Sequence, residues 1–257
     1  MGTGVIVRPD IELLAPGHQF RLSELARHID STLLKPTATV PEFDALFDEA
    51  AHFGFWSVCV PPSIVKRAAG RLGGTGVKVC TVVGFPLGYA SPETKRDEAL
   101  RAVQDGADEI DMVMNLGAFK SGDLSLVSRE IESIASVCRS SGKLLKVIIE
   151  CCYLDGEEKV KAAKLAERAG ADYVKTSTGF GSGGATIEDV ALLAKSLSGA
   201  KVKASGGVSS LEKAVAMMEA GADRIGTSSG SKIMGELRQK ESTGGCPSQG
   251  PRPEQGT

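Results

Sequence analysis

The tripeptide Gly-Ala-Asp occurs three times in the chain, each time where a helical pattern gives way to a strand pattern. The copies lie in DGADEID (105–111), AGADYVK (169–175) and AGADRIG (220–226). Glycine can take the left-handed conformation that ends a helix, so the residues that follow it can enter a sheet. Other segments use a single glycine in the same place, as Gly199 does before AKVKAS. Strands that alternate with helices in this way predict parallel βαβ units.

The alternation runs through eight units in roughly 210 residues. The predicted strands are 28–34, 56–60, 77–83, 109–114, 145–150, 172–176, 201–205 and 223–228. The predicted helices are 41–53, 62–71, 91–105, 122–141, 155–169, 186–198, 209–220 and 229–240. Eight strand–helix units favour an α/β fold of the (β/α)₈ TIM barrel type over a doubly wound sheet. No GxGxxG follows the first strand and no GxxxxGK[ST] occurs, which further weakens the nucleotide-binding alternative.

A single barrel domain accounts for most of the chain. We assign residues 1–20 to a short N-terminal helical arm, 21–240 to the barrel and 241–257 to a flexible tail. The tail, ESTGGCPSQGPRPEQGT, is rich in Gly, Pro and Ser and has no apolar face, so we expect it to be disordered.

Composition and charge exclude several classes of function. The formal net charge of -2 leaves no basic excess for nucleic acid or an anionic membrane surface. No apolar run approaches the roughly 20 residues of a membrane helix, and the first residues lack the pattern of a secretory signal. The six cysteines form no CxxC and read as reduced thiols, and the three histidines, His18, His28 and His52, fall early in the chain, away from the later strand ends. We expect a cytoplasmic protein with no nucleic-acid or membrane partner and no metal.

Charged residues alternate with apolar residues in several predicted strands. Because successive side chains face opposite sides of a strand, the charged set points into the barrel when the apolar set faces the helices. This set comprises Asp111, Lys146, Glu150, Lys175 and Lys203, and Asp30 is a candidate to join it. For Lys146 and Glu150, an internal salt-bridge network that only fills the barrel explains the pattern equally well. Asp111, Lys175 and Lys203 lie at or near carboxyl ends of strands, where the active sites of such barrels lie.

Lys175 stands near the end of a short strand in ADYVKTSTGFGSGG (171–184). A lone lysine in such a place ordinarily reaches water or a carboxylate. A lysine is nucleophilic only when neutral, and a second ammonium group together with burial favours the neutral form. A neighbouring carboxylate can then move protons. Lys175, Lys203 and Asp111 on barrel strands therefore suggest amine catalysis on a carbonyl.

Three glycine- and serine-rich segments follow the last three predicted strands: STGFGSGGAT (177–186), SGGVSS (205–210) and GTSSGSK (226–232). Each joins a strand end to a helix start and exposes backbone N–H groups, an arrangement that can hold phosphate. The candidate phosphate-binding residues are Gly179, Gly183, Gly184, Ser205, Gly206, Gly207, Gly226, Ser228 and Ser229.

From about His28 to about Lys240 the chain resembles the deoxyribose-phosphate aldolase family of class I, Schiff-base aldolases. The segments that carry the resemblance are HIDSTLLKP (28–36), SVCVPP (57–62), VVGFPLG (82–88), ETKRDEA (93–99), GADEIDMVMNLGAFKSG (106–122), LKVIIE (145–150), YVKTSTGFGSGGAT (173–186), VKASGGV (202–208) and GTSSG (226–230). Family members often have His where this chain has Ser31, a difference outside the three catalytic positions.

The resemblance implies that Lys175 forms the Schiff base, that Asp111 transfers protons and that Lys203 assists. Lys203 would act either by electrostatic repulsion or as a proton carrier. Cys59 lies near the expected pocket, where we interpret it as mainly structural. The implied reaction is reversible cleavage of 2-deoxy-D-ribose 5-phosphate to D-glyceraldehyde 3-phosphate and acetaldehyde, without a cofactor. The expected partners are the small-molecule phosphorylated sugar and aldehyde, and further copies of the chain in a homo-oligomer.

Two alternatives remain open from the sequence. One is another lysine-dependent aldolase with a different donor or acceptor. The other is a catalytically silent phosphate-binding barrel that serves as an interaction module, an interpretation that replacement of any of the three catalytic residues would have favoured.

Overall fold

A computed structural model describes residues 20–244, which form a closed barrel of eight parallel strands. The strands are β1 Ile29–Thr32, β2 Ser57–Val60, β3 Lys78–Val83, β4 Glu109–Val113, β5 Leu144–Ile148, β6 Tyr173–Lys175, β7 Lys201–Ser205 and β8 Arg224–Thr227. They pair in chain order, and β8 returns to β1 to close the barrel. The predicted TIM barrel is confirmed.

Helices connect the strands and cover the outside of the barrel. They are α1 Leu22–Ala26, α2 Val40–Phe53, α3 Val65–Leu72, α4 Pro92–Gln104, α5 Leu116–Lys120, α6 Leu124–Ser140, α7 Gly156–Arg168, α8 Ile187–Ser196, α9 Leu211–Glu219 and α10 Gly230–Gly244. Short 3₁₀ turns occupy Pro62–Ile64 and Cys151–Tyr153. The short helix α5 was not predicted, because its five residues carry too little periodic pattern to identify a helix.

Local sequence signals explain where these helices begin. The side chains of Ser91, Asp155, Thr186 and Ser210 each accept a hydrogen bond from a backbone N–H three residues later. Such N-caps satisfy donors that the first helical turn leaves without partners. The caps therefore fix the residue at which each of these helices starts.

The apolar core lies between the strands and the helices. Ile110, Met112, Val147 and Val202 are buried there and alternate along their strands with charged residues. This alternation confirms that the apolar side chains face the helices. The polar side chains opposite them consequently occupy the barrel interior.

The register between strands brings the candidate catalytic residues together. Lys175 on β6 is the direct partner of Lys203 on β7, and Asp111 on β4 is the direct partner of Lys146 on β5. Residues that are partners on neighbouring parallel strands point to the same side of the sheet. The barrel thus positions all four side chains in its interior.

The described residues include only the last residue of the predicted arm and the first four residues of the predicted tail. Helix α10 continues through residues 241–244, which the sequence analysis assigned to the tail. The rest of the predicted tail, 245–257, and residues 1–19 of the predicted arm lie outside the described residues. Within residues 20–244, no helix combines the length and the apolar composition required to cross a bilayer.

Candidate active site

Asp111 is the centre of a buried ionic cluster inside the barrel. Its Oδ2 atom accepts hydrogen bonds from Lys175 Nζ at 2.9 Å and from Lys203 Nζ at 2.8 Å. Its Oδ1 atom accepts a third from Lys146 Nζ at 2.9 Å. Burial would raise the pKa of Asp111, but the three ammonium groups outweigh burial and hold that pKa well below its usual range. The Asp111 side chain is therefore an ionised carboxylate.

Lys203 and Lys146 each contact a second carboxylate. Lys203 Nζ lies 2.6 Å from Asp30 Oδ2, and Lys146 Nζ forms an ion pair with Glu109 Oε2. Burial would lower the pKa of both lysines, but the carboxylates outweigh burial and raise both pKa values above the ordinary lysine range. Both side chains are therefore ammonium ions that stay charged.

Lys175 differs from these two lysines in its contacts and in its accessibility. Asp111 is its one carboxylate partner among the described residues, whereas Lys146 and Lys203 have two each. Lys175 also lines an open pocket at the carboxyl end of the strands, while the side chains of Lys146 and Lys203 are fully buried. A molecule in the pocket can thus reach Lys175 directly.

The cluster continues toward the amino-terminal end of the barrel through Arg224. Its Nε donates to Asp30 Oδ1 at 2.9 Å, and its Nη2 donates to Glu109 Oε2 at 3.0 Å. Ser57 Oγ also donates to Asp30 Oδ1, and Trp56 Nε1 donates to Glu109 Oε1, both at 2.7 Å. The Arg224 guanidinium lies over the indole of Trp56, at 4.8 Å from the ring centre.

Counting formal charges shows that the cluster has one cation in excess. Its cationic groups belong to Lys146, Lys175, Lys203 and Arg224, and its carboxylates belong to Asp30, Glu109 and Asp111. Loss of one proton would balance these charges. Since a neutral amine is the form of lysine that attacks a carbonyl, the arrangement suits amine catalysis.

Neither Arg224 nor Glu109 was among the sequence-predicted site residues. Both could have been found from strand alternation, because Glu109 shares a face with Asp111 and Arg224 shares a face with Gly226. The signal was weak in β8, where a single arginine stands in a strand of four residues.

A cavity of about 290 Å³ opens at the carboxyl ends of the strands beside Lys175. The loops that follow β1, β6, β7 and β8 surround it. The lining residues are Thr32, Leu33, Leu34, Lys35, Lys175, Thr178, Gly179, Phe180, Ser205, Gly206, Gly207, Val208, Ser209, Gly226, Thr227, Ser228 and Ser229. Among residues 20–244, no acidic side chain lines this cavity.

Seven of the nine candidate phosphate-binding residues line this cavity: Gly179, Ser205, Gly206, Gly207, Gly226, Ser228 and Ser229. The other two, Gly183 and Gly184, do not line it. Gly184 instead packs against the loop after β7, where an added Cβ would lie 2.2 Å from Gly206 O. Ala185 N also donates to Gly206 O at 3.0 Å. The lack of a side chain at Gly184 thus allows two loops to touch, a role that glycine spacing does not distinguish from ligand binding.

The loop after β7 has a backbone suited to anions. Gly206 and Gly207 are consecutive residues with φ values of +89° and +78°. Positive φ values at consecutive residues favour glycine, and turns of this kind can direct neighbouring N–H groups toward one point. Helix α10 begins at Gly230, directly after Ser228 and Ser229 on the cavity wall. The positive end of that helix dipole adds to the attraction for an anion.

Glu150 lies at the rim and does not join the ionic cluster. Its carboxylate accepts hydrogen bonds from Thr178 N, at 3.2 Å to each oxygen, and from Thr178 Oγ1. Glu150 itself has a φ of 51°, which turns the chain after β5 toward the loop that follows β6. It therefore holds the loop that contains Gly179 and Phe180, which the strand alternation did not predict.

Cys59 is fully buried and packs with Cys80 and Val82, with Leu34 and Phe85 partly buried against them. Cys80 Sγ donates to Asp111 Oδ1 at 3.2 Å. Among the described residues, the thiols of Cys59 and Cys80 and the carboxylate of Asp111 lie close enough to be considered as metal ligands. The ammonium groups bound to Asp111 already take both of its oxygens, and their charges oppose a cation at this position.

A second buried ion pair supports the loop after β4 from outside the barrel. Lys95 Nζ donates to Glu130 Oε2 at 2.8 Å and to Val113 O at 2.9 Å. Glu130 Oε1 in turn accepts from Asn115 N at 2.7 Å. These contacts hold the chain two to four residues beyond Asp111. Lys95 belongs to the segment ETKRDEA, for which the sequence analysis gave no role.

Comparison with known proteins assigns the chain to a family. A family profile described as DeoC/LacD family aldolase matches residues 26–235. A deoxyribose-phosphate aldolase of Thermococcus gammatolerans is 52% identical over 221 residues, covering 85% of this chain and 98% of that protein. One from Brevibacillus brevis is 57% identical over 210 residues, covering 81% and 94%. A solved structure of a tetrameric deoxyribose phosphate aldolase from Aeropyrum pernix has a TM-score of 0.80 and 39% identity, covering 85% and 92%. The chain belongs to the DeoC/LacD family of aldolases.

Proposed function

We propose that this chain is a deoxyribose-phosphate aldolase in which Lys175 is the nucleophile. It reversibly cleaves 2-deoxy-D-ribose 5-phosphate to D-glyceraldehyde 3-phosphate and acetaldehyde. Relatives that are more than half identical over at least four-fifths of the chain support the reaction. The observation that carries the choice of Lys175 is its position. It shares Asp111 with Lys203 and also faces the open cavity.

The reaction begins when the neutral amine of Lys175 adds to the aldehyde carbon, C1, of the open-chain sugar. The carbinolamine loses water and becomes a protonated imine, in which C1 is strongly electron-withdrawing. Asp111 Oδ2, at 2.9 Å from Lys175 Nζ, is close enough to exchange protons with this nitrogen or with a water beside it. The lasting charge on Lys203 keeps a positive field on the same carboxylate oxygen.

Bond cleavage then requires a base for the C3 hydroxyl. In our proposal Asp111, acting through a water molecule, takes that proton as the C2–C3 bond breaks. The C3 carbon leaves as the aldehyde of glyceraldehyde 3-phosphate, and the bonding electrons move to the imine to give an enamine. Protonation of the enamine at C2 and hydrolysis of the imine release acetaldehyde and restore Lys175. Every proton is exchanged with water or with Asp111, so the sequence of steps needs no external oxidant or reductant.

The phosphate group is placed by the cavity rather than by the ionic cluster. The loops that contain Gly206, Gly207, Ser228 and Ser229 offer backbone N–H groups and a helix N-terminus on the wall of the cavity that contains Lys175. A phosphate bound there leaves the aldehyde end of the sugar directed toward Lys175. We propose this orientation because the cavity has no acidic lining residue in the described part of the chain to repel a dianion.

Borohydride reduction in the presence of acetaldehyde tests the nucleophile. Acetaldehyde forms an imine with the reactive lysine, and reduction converts it to a stable N-ethyl group that mass spectrometry of peptides can locate. We expect the label on Lys175, and no label at that stoichiometry in Lys175→Met. Lys203→Met is the matched variant, since it removes the other ammonium group from Asp111 Oδ2 but leaves the nucleophile in place. A label on Lys203 or Lys146 in the wild-type protein would contradict the assignment.

We also propose that the enzyme is a homo-oligomer in a reducing compartment, the cytoplasm. A relative from Aeropyrum pernix is described as tetrameric, which supports the first point. The described cysteines Cys59, Cys80, Cys138, Cys151 and Cys152 are free thiols, which supports the second. Light scattering after size-exclusion chromatography tests the oligomeric state directly, and a mass equal to one chain would contradict it.

A further inference from the structure

Lys35 is an exposed lysine that lines the cavity, and it has no role in the proposed reaction steps. It is one of two cationic residues in the described lining, and the other is Lys175. Lys175 is committed to Asp111 at the base of the cavity, whereas Lys35 lies in the loop after β1. Its side chain is exposed to solvent. The cavity therefore has one cationic residue at its base, where the proposed reaction takes place, and another at its rim.

The fold places the Lys35 loop beside the loop after β8. Strand β1 pairs with β8, with Ser31 opposite Thr227, so the chains that follow these strands are neighbours on the rim. Lys35 O accepts a hydrogen bond from Ala38 N at 3.1 Å, which closes a turn directly after the lining residues. Lys35 and Ser228 both line the cavity.

The charge of Lys35 is available to a ligand. It forms no ion pair within residues 20–244. Glu42 Oε2 accepts hydrogen bonds from Thr39 N at 2.7 Å and from Thr39 Oγ1 at 2.8 Å, and these bonds are the main cause of the lowered pKa of Glu42. The charge of Lys35 lowers that pKa to a lesser extent. Because the described cavity lining contains no carboxylate, an anion that enters would meet Lys35 without an acidic competitor.

We propose that Lys35 is a specificity-determining residue that recognises the phosphate of the substrate. Backbone N–H groups bind a phosphate by geometry, but a lysine adds a full positive charge and a charge-assisted hydrogen bond. Lys35 would favour a phosphorylated sugar over the same sugar without phosphate. This inference rests on the proposed function and adds a side chain to the anion site formed by the glycine-rich loops.

The test compares two substrates, 2-deoxyribose 5-phosphate and unphosphorylated 2-deoxyribose, in Lys35→Met, Lys35→Arg and wild type. Lys66→Met is the control, because Lys66 is exposed on α3 and does not line the cavity. We expect Lys35→Met to lower kcat/KM for the phosphorylated sugar about tenfold, mainly through KM, as the loss of one charge contact near solvent would do. The kcat/KM for 2-deoxyribose should stay unchanged. Lys35→Arg should retain most of the preference for phosphate.

Two further measurements distinguish charge from shape. Inorganic phosphate should inhibit 2-deoxyribose cleavage less well in Lys35→Met than in wild type. The difference between wild type and Lys35→Met should shrink between about 0.1 M and 1 M salt, because the Debye length falls from about 10 Å to 3 Å. A difference that does not respond to salt would overturn the electrostatic role.

The outcomes also distinguish this proposal from the proposed function. If wild type cleaves 2-deoxyribose 5-phosphate and Lys35→Met behaves as Lys66→Met does, Lys35 does not recognise phosphate and the aldolase assignment stands. Equal losses on both sugars in Lys35→Met would likewise overturn phosphate recognition, because they indicate a general effect on the site. Absence of aldol cleavage in the wild type itself would overturn the proposed function, and the inference with it.

Discussion

The two ends of the buried ionic cluster use the same kinds of charge in different ways. At the carboxyl end, Asp111 is surrounded by three ammonium groups, and one of them, on Lys175, faces an open cavity. At the amino end, the Arg224 guanidinium is shared by Asp30 and Glu109 and lies against Trp56. The first end contains Lys175, the lysine of the cluster that lines the cavity. The second end contains a buried arginine, whose guanidinium stays charged.

The difference follows from the chemistry of lysine and arginine. A lysine ammonium can become a neutral nucleophile, whereas a guanidinium remains charged in proteins and forms several directed hydrogen bonds at once. Lys203 connects the two ends, because its Nζ contacts both Asp30 and Asp111. We infer that the amino end fixes the positions of Asp30 and Lys203, and that the carboxyl end carries out the chemistry. Substitutions at the amino end should therefore mainly lower stability, and substitutions at the carboxyl end should mainly lower activity.

The largest expected effect is on activity, in Lys175→Met. Without the amine no imine forms, so kcat should fall on the order of 10⁴-fold or more, as it does when a nucleophile is removed. The free energy of unfolding should change by only about 1 kcal/mol or less, since Asp111 keeps Lys146 and Lys203 and the excess cation is gone. Single-turnover cleavage and urea unfolding measure the two quantities. Near-normal kcat in a folded variant would place the nucleophile elsewhere.

At the other end, Arg224→Met should mainly reduce stability. It leaves the buried carboxylates of Asp30 and Glu109 with fewer positive partners, a change that costs about 3–5 kcal/mol of unfolding free energy. Arg27→Met is the matched control, because the Arg27 guanidinium also lies 4.8 Å from the Trp56 ring but is exposed. Chemical denaturation of both variants measures the difference. Similar losses of unfolding free energy in the two variants would show that stacking on Trp56, rather than the buried ion pairs, provides the stability.

The barrel was predictable because its signals are repeated and local. Glycine punctuation, strand alternation and helix caps recur in each unit, so an error in one unit does not alter the count of strands. The predicted strand 201–205 coincides with β7, and each of the others differs by no more than two residues at either end. The end of α10 was missed because Thr243 and Gly244 continue a helix through residues that ordinarily end one.

The site was predictable to the extent that strand alternation defines it. Alternation placed Asp111, Lys146 and Lys203 inside the barrel, and the structure brings them together. It does not apply beyond the strand ends, where Glu150 turns away and contacts Thr178. It also does not show that Gly184 touches a neighbouring loop, since that contact depends on how two loops meet in space.

The stability of the protein at acidic pH should reflect the same difference between the two ends of the ionic cluster. Asp30, Glu109 and Asp111 have folded-state pKa values below their ordinary ones, because neighbouring cations outweigh the effect of burial. Stability from these groups is present above their unfolded pKa values, near 4, and is lost as the pH falls toward the lower folded values. Burial raises the pKa of Glu130, which opposes this trend in part. Thermal unfolding between pH 6 and about pH 3 should show the loss, and Arg224→Met should show a smaller one. Parallel curves for the two proteins would mean that the amino end does not contribute.

The smallest expected effect concerns Lys203, which belongs to both ends. Carboxylates raise the pKa of Lys203 above the ordinary range despite its burial, so at neutral pH it is a poor proton carrier and a lasting positive charge. Its ammonium group shares Asp111 Oδ2 with Lys175. Lys203→Leu removes the charge and leaves Lys175 with a larger share of the carboxylate. If the charge of Lys203 is what makes the Lys175 amine available for attack, we expect kcat at neutral pH to fall about tenfold to a hundredfold and to recover toward alkaline pH.

A pH–rate profile of Lys203→Leu beside wild type measures this recovery, and Lys203→Arg serves as the control that keeps a positive charge next to Asp111. If Lys203 acts by its charge, Lys203→Arg should retain more activity at neutral pH than Lys203→Leu, although arginine cannot exchange its proton. If Lys203 carries protons during bond cleavage, both variants should lose activity alike and neither should recover at high pH. The second pattern would place Lys203 with the reacting groups and would end the division of the cluster into a fixed end and a reactive end.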